Sequence, residues 1–111
     1  MKDTADYTAF AALDLRVGTV LSVEESRARK PTWRLTIDFG PEIGTRVSCG
    51  AFLNYTVEEL VGQQVVAIVN LPTLKMGPER SEVFVLGVDD GAGGAVRISV
   101  EAPVPPGSIV S

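Results

Sequence analysis

Apolar and polar residues alternate with a period of two over most of this chain, and that pattern reads as strands. Leu15, Val17, Thr19, Leu21 and Val23 alternate with Arg16, Gly18, Val20, Ser22 and Glu24. This predicts one long strand with an apolar face, and Gly18 in its middle predicts a bend or bulge. Trp33, Leu35, Ile37 and Phe39 alternate with Arg34, Thr36 and Asp38, the clearest strand signal of all. Residues 40–44, with two glycines and a proline, read as a connection. A third strand follows, with Val47, Cys49 and Ala51 on one face and Arg46, Ser48 and Gly50 on the other.

The period then changes. Thr56 and Glu59 fit a capping box that opens a short helix, with Leu60 and Val61 as its apolar side and Gly62 at its end. Residues 64–69 are apolar on both faces, as a central strand would be, and residues 81–88 read as a fifth strand. Residues 89–94 form a turn, and Val96, Ile98 and Val100 a last short strand. Upstream, Thr8 is expected to cap a helical turn in which Phe10 and Leu13 share a face. About five strands, with a small helix between the third and fourth, is the order of an OB-fold barrel, an all-β architecture. An immunoglobulin-like sandwich needs about seven strands and no such helix.

Composition narrows the chemistry. The chain has 111 residues, one cysteine and no histidine. It reads as one domain over residues 1–111, with an N-terminal extension over 1–12 and a C-terminal tail over 101–111. A Cys-His zinc site, a Ser-His-Asp triad and a Cys-His pair are all excluded by these counts. Glu58–Glu59 and Asp89–Asp90 are adjacent in sequence and not placed as acid–base couples. No enzyme activity, cofactor or metal is expected. With one cysteine, no membrane-length apolar run and no apolar leader, the expected location is cytoplasmic.

Net charge is −4, so whole-chain charge does not announce a nucleic-acid binder. The distribution of charge is more informative. Arg27, Arg29, Lys30 and Arg34 are four of the ten basic residues, within eight positions that hold no acid. Lys75 and Arg80 punctuate residues 70–87, where a polar loop joins two apolar runs. Such a loop on a rigid frame suits a binding surface. Arg34 alternates out of phase with Leu35 and Ile37 and so points away from the core, whereas Trp33 shares the phase of the core residues. Glu82, beside an apolar run, is expected to pair with Arg34 or Arg46. Cys49 reads as a small core residue.

Four stretches in combination carry a resemblance: DLRVGTV, ARKPTWRLTIDFGPEIG, NYTVEELVGQQVVAIVNLP and GPERSEVFVLG. They resemble the CsaA-like export chaperones of the OB-fold tRNA-binding-domain superfamily, over nearly the whole chain. The superfamily also includes domains appended to methionyl- and phenylalanyl-tRNA synthetases. The resemblance implies a five-stranded OB barrel and a homodimer. It implies non-catalytic binding of unfolded polypeptides or secretory preproteins, and contact with the export ATPase SecA. The alternative it implies is a tRNA-binding module that reads RNA backbone and shape. Carried onto this sequence, the ligand-binding positions are Lys30, Trp33, Arg34, Ser48, Asn70, Lys75, Arg80, Ser81 and Glu82. Glu79-Arg80 departs from relatives, which tend to carry an apolar residue there.

Overall fold

The computed structural model describes residues 1–28, 30–50 and 52–111. Arg29 and Ala51 lie outside the described residues. The fold is an all-β, OB-like barrel. The N-terminal helix α1 (Tyr7–Ala11) leads into β1 (Leu15–Glu25), which pairs antiparallel with β2 (Trp33–Asp38). A single helical turn, α2 (Gly40–Ile43), connects to β3 (Thr45–Gly50), which pairs with β2. Helix α3 (Val57–Leu60) precedes β4 (Gln64–Ile68), which lies along β1. Thr56 and Glu59 close both hydrogen bonds of the capping box on α3, satisfying two backbone donors that a helix start leaves open.

The segment read as one loop and one strand is cut into shorter pieces. A hairpin, β5 (Leu74–Met76) with β6 (Glu79–Ser81), is followed by β7 (Phe84–Val85), which pairs with β4. A second hairpin joins β8 (Gly87–Asp89) to β9 (Ala95–Arg97). The main sheet runs β3-β2-β1-β4-β7. Residues 79–85 cross from β3 to β4 and bring the two edges of that sheet together. None of the described helices is long and apolar enough to cross a membrane.

Two local readings change. The phase of β1 breaks between Val20 and Ser22, where the register with β2 shifts. Val20 and Val23 are buried, and Leu21 is left half exposed. The extra residue of a bulge turns the chain over and reverses which alternate set faces inward. The bulge therefore lies beyond Gly18, which serves a different purpose: its backbone packs directly on Ile37 and Phe39. At α1 the cap is Asp6, whose carboxylate accepts from the Thr8 amide at 3.1 Å.

Val20, Val23, Leu35, Ile37, Phe39, Phe52, Leu60, Val65, Ala67 and Val83 form one continuous core. The C-terminal segment straps the free edge of β1. The Gly107 amide donates to the Val17 carbonyl at 2.7 Å, and the Val17 amide to the Ser108 carbonyl at 2.9 Å. Arg16, buried on this edge, donates to the Gly107 carbonyl and pairs with Asp14 at 2.6 Å and Glu42 at 3.5 Å.

Candidate functional site

The β5–β6 hairpin packs along β3 through β6, and between it and the barrel lies a groove of about 530 Å³. Leu35, Ser48, Cys49 and Gly50 supply the side formed by β2 and β3. Leu74 and Met76 supply the hairpin side, and Phe52, Val83 and Phe84 continue the lining beyond. The lining is almost entirely apolar, and Leu74 and Phe84 are more than half exposed. A concave apolar surface of this size on a rigid frame is suited to apolar side chains of a ligand. Phe52 holds φ at +73°, a conformation costly for a bulky residue. It is 5% exposed and makes an edge-to-face contact with Tyr55 at 5.8 Å.

The polar residues near the groove hold the barrel together. Ser81 Oγ accepts from the Cys49 amide at 3.1 Å and donates to the Val83 carbonyl at 3.3 Å. Glu82 accepts from the Val47 amide through Oε1 at 2.9 Å, and its own amide donates to the Val47 carbonyl at 2.8 Å. Side chains thus stand in for ladder partners along the edge of β3. A strand edge with unpaired amides costs more than a carboxylate gains from a surface ion pair, so Glu82 serves the backbone. The ion pair expected of Glu82 belongs to Glu79. Glu79 Oε2 lies 3.4 Å from Arg34 Nε, while Glu24 approaches the other side of Arg34 at 3.8 Å.

Cys49 is buried, with Sγ 3.5 Å from Glu79 Oε2. Burial, then the hydrogen bond and charge of Glu79, push its thiol up to about 11, against a smaller opposing effect of Arg34. The sign follows directly. The folded chain holds this proton to higher pH than the unfolded chain does. The contribution to stability is therefore complete below about pH 9 and is lost as pH rises toward about 11. We expect iodoacetamide to alkylate Cys49 slowly at pH 8 in the folded protein and rapidly in urea, followed by mass spectrometry. Equal rates would contradict this assignment.

The remaining expected site residues are dispersed. Asn70 ties down the N-terminal segment: its Oδ1 accepts from the Asp14 amide at 2.8 Å and its Nδ2 donates to the Ala12 carbonyl at 2.9 Å. Trp33 packs on the core, and its Nε1 donates to the Tyr55 carbonyl at 3.0 Å. Ser48 is buried on the groove wall. Lys30 is exposed in the loop between β1 and β2. Lys75 and Arg80 are exposed and directly opposite each other on the hairpin. Among the described residues, the ion pairs involve Arg16 and Arg34 as cations and neither of these two. Phe52, Leu74, Met76 and Phe84 were not legible as site residues. The alternation of Leu74 and Met76 with Lys75 is the one local signal that marks the hairpin's apolar face.

This arrangement has relatives. Residues 15–109 match the family described as "Putative tRNA binding domain". Among curated proteins, the methionine–tRNA ligase of Porphyromonas gingivalis is 43% identical over 104 residues, 94% of this chain and 15% of that protein. The methionine–tRNA ligase of Methanosarcina acetivorans is 36% identical over 103 residues, 93% of this chain and 14% of that protein. The chain thus spans about one seventh of the ligases it matches. Among solved structures, the chaperone CsaA of Bacillus anthracis superposes with a TM-score of 0.91 at 40% identity, covering 98% of this chain and all of that one. The CsaA chaperone protein of Picrophilus torridus gives 0.91 at 31% identity, covering 97% of this chain and all of that one. The chain belongs to the tRNA-binding-domain family, as a CsaA-like member.

Proposed function

We propose that this protein is a non-catalytic, CsaA-like chaperone that holds unfolded polypeptides by their apolar side chains. The observation that carries this reading is the apolar groove between β3 and the β5–β6 hairpin, accessible from solvent and framed by a rigid barrel. Two solved structures that it resembles over nearly its whole length are described as chaperones. Secretory preproteins and the export ATPase SecA enter through the family resemblance of the sequence, and a cytoplasmic location through its composition.

A homodimer is part of the proposal. Helix α1 buries none of its residues, and Phe10 and Ile109 are exposed, apolar surface that a second copy would cover. Sedimentation at micromolar concentration should give twice the chain mass, and a monomer would remove this element.

The test of the groove is suppression of aggregation of a chemically denatured client, read by light scattering. The wild-type protein should slow aggregation. The double variant Leu74→Asp/Phe84→Asp should weaken client binding by about tenfold or more, since central apolar anchors carry most of an interface's affinity. Both side chains are exposed, so the melting temperature should hold. Undiminished suppression by the folded double variant would overturn the groove reading.

A second reading is favoured by a separate observation, the exposed cations Lys30, Lys75 and Arg80, together with the family match. Here the protein holds tRNA through phosphates, and Arg34 is less free to contribute because Glu79 and Glu24 flank it. Retention of tRNA should fall with salt, and Lys75→Ala/Arg80→Ala should flatten that dependence. Retention indifferent to both would exclude it.

A further inference from the structure

We propose that the Arg34–Glu79 pair is the latch that sets the outer wall of the groove, so that both are positioning residues for apolar ligands and not contacts of the ligand. This rests on the groove being the binding surface.

The hairpin β5–β6 forms a two-stranded sheet of its own, with no ladder to the barrel. Its polar ties to the barrel are arranged in sequence along β3. Glu82 meets Val47 through backbone and side chain, and Ser81 meets the Cys49 amide. Glu79 meets the Cys49 thiol and Arg34. Glu79 is the tie nearest the turn at Gly77-Pro78, and so the one farthest from where the chain joins the barrel. Beyond it, no side-chain hydrogen bond or ion pair among the described residues holds the hairpin tip.

The register connects this tie to the groove. Met76 lies opposite Glu79, and Leu74 opposite Ser81. Met76 and Leu74 are the hairpin's contribution to the apolar lining. Whatever fixes Glu79 therefore fixes the cross-strand neighbour that faces the ligand. The anchor is itself built in. Arg34 and Cys49 are paired in register across β2 and β3, and Glu79 extends the row onto the hairpin. The Glu79 side chain is 11% exposed and that of Arg34 38%. A carboxylate this buried needs its cation. Releasing it into water requires the hairpin to swing outward, which takes Met76 with it.

The experiment uses the full chain, with Arg34→Gln to break the pair, Arg34→Lys to keep the charge and Glu24→Gln as control. Two signals are read beside the melting temperature. One is alkylation of Cys49 by neutral iodoacetamide at pH 8 without ligand; the other is affinity for the neutral apolar dye Nile red. Chemistry alone predicts slower alkylation in Arg34→Gln, because the guanidinium opposes the rise in the thiol pKa. Opening of the wall predicts the reverse. We expect alkylation to accelerate and Nile red affinity to fall, each by about threefold, as for a partly buried pair. Arg34→Lys should recover part of both, and Glu24→Gln should leave both unchanged.

Alkylation and affinity both unchanged in Arg34→Gln would overturn the latch. Weaker dye binding without faster alkylation would also overturn it, placing Arg34 in contact with the ligand. If the wild-type protein does not bind Nile red, the groove reading fails. The alkylation rates, measured without ligand, still decide the latch.

Discussion

Replacing Gly18 with alanine should lower the unfolding free energy by about 3 kcal/mol, at the upper end of what overpacking a core costs. A Cβ at this position would stand 2.5 Å from Ile37 Cγ2 and 2.7 and 2.9 Å from ring atoms of Phe39. Neither neighbour can yield, since Ile37 is fully buried and Phe39 is 1% exposed. Nor can the backbone withdraw, because Gly18 lies opposite Val65 in the ladder with β4, and on the other edge the C-terminal strap holds Val17 and β2 holds Thr19. The loss should appear as a lower urea midpoint with an unchanged slope. Phe39→Leu alone leaves space and costs less. The double variant should lose less than the sum of the two, by about 1 kcal/mol, because each change relieves the other's error. Strict additivity would mean that the clash is relieved elsewhere in the core.

Gly107→Ala should be nearly as damaging, by about 2–3 kcal/mol, for a different reason. Gly107 holds φ at +90°, and a Cβ there would strike the Phe39 carbonyl oxygen. Opposite it Gly40 holds φ at +83°, with space for a Cβ filled by the Pro106 carbonyl at 2.5 Å. Two backbones meet where only glycine on each side allows it. The alanine variant has to lift the C-terminal strap from β1. That breaks the Val17–Ser108 and Val110–Leu15 hydrogen bonds at 2.9 and 3.0 Å and removes an acceptor from Arg16. Hydrogen exchange gives the decisive reading. The amides of Val17 and Val110 should lose protection while those of Leu35 and Ile37, in the core strand, keep theirs. Retained protection at Val17 would show that the strap tolerates a side chain.

Much of the frame was legible along the chain because burial has a local signature. Trp33, Leu35, Ile37 and Phe39 alternate because β2 has one wet face, and Leu35, Ile37 and Phe39 are buried in the core with Trp33 packed against it. Thr56 and Glu59 announced α3 because a helix start needs side-chain acceptors for its open amides, and both are present within four residues. The central position of residues 64–69 followed from apolar side chains on both faces, and β4 lies between β1 and β7. The phase read for β1 is met only beyond the bulge, where Val23 joins the core; before it the core-facing set is Gly18 and Val20. Leu21 is apolar and in step, yet the register shift leaves it half exposed.

The groove was less legible. The β5 and β6 strands have three residues each, too short for alternation to establish itself, and the proline and glycine between them read as a loop. The two acids of this stretch exchanged roles. Glu82 was expected to answer an arginine, and Glu79 does so. Both have the same local chemistry, and the difference is that Glu82 comes to lie beside an unpaired amide of β3. Asn70, at a strand end, has the profile of a ligand contact, and in the fold its side chain joins two segments 56 residues apart in the chain.

The amino-acid sequence by itself determined the four strands β1 to β4, the place of the capped helix before β4, the OB-like order and the family. Each is written in spacings of a few residues, at the scale on which backbone geometry sorts side chains between water and core. Only the tertiary structure decided which polar side chains close the barrel, which cation is spent on Glu79, and that Leu74, Met76, Phe52 and Phe84 share one apolar groove. Those facts depend on strands 30 or more residues apart meeting at one seam, and a contact made at that distance leaves no period in the chain to be read.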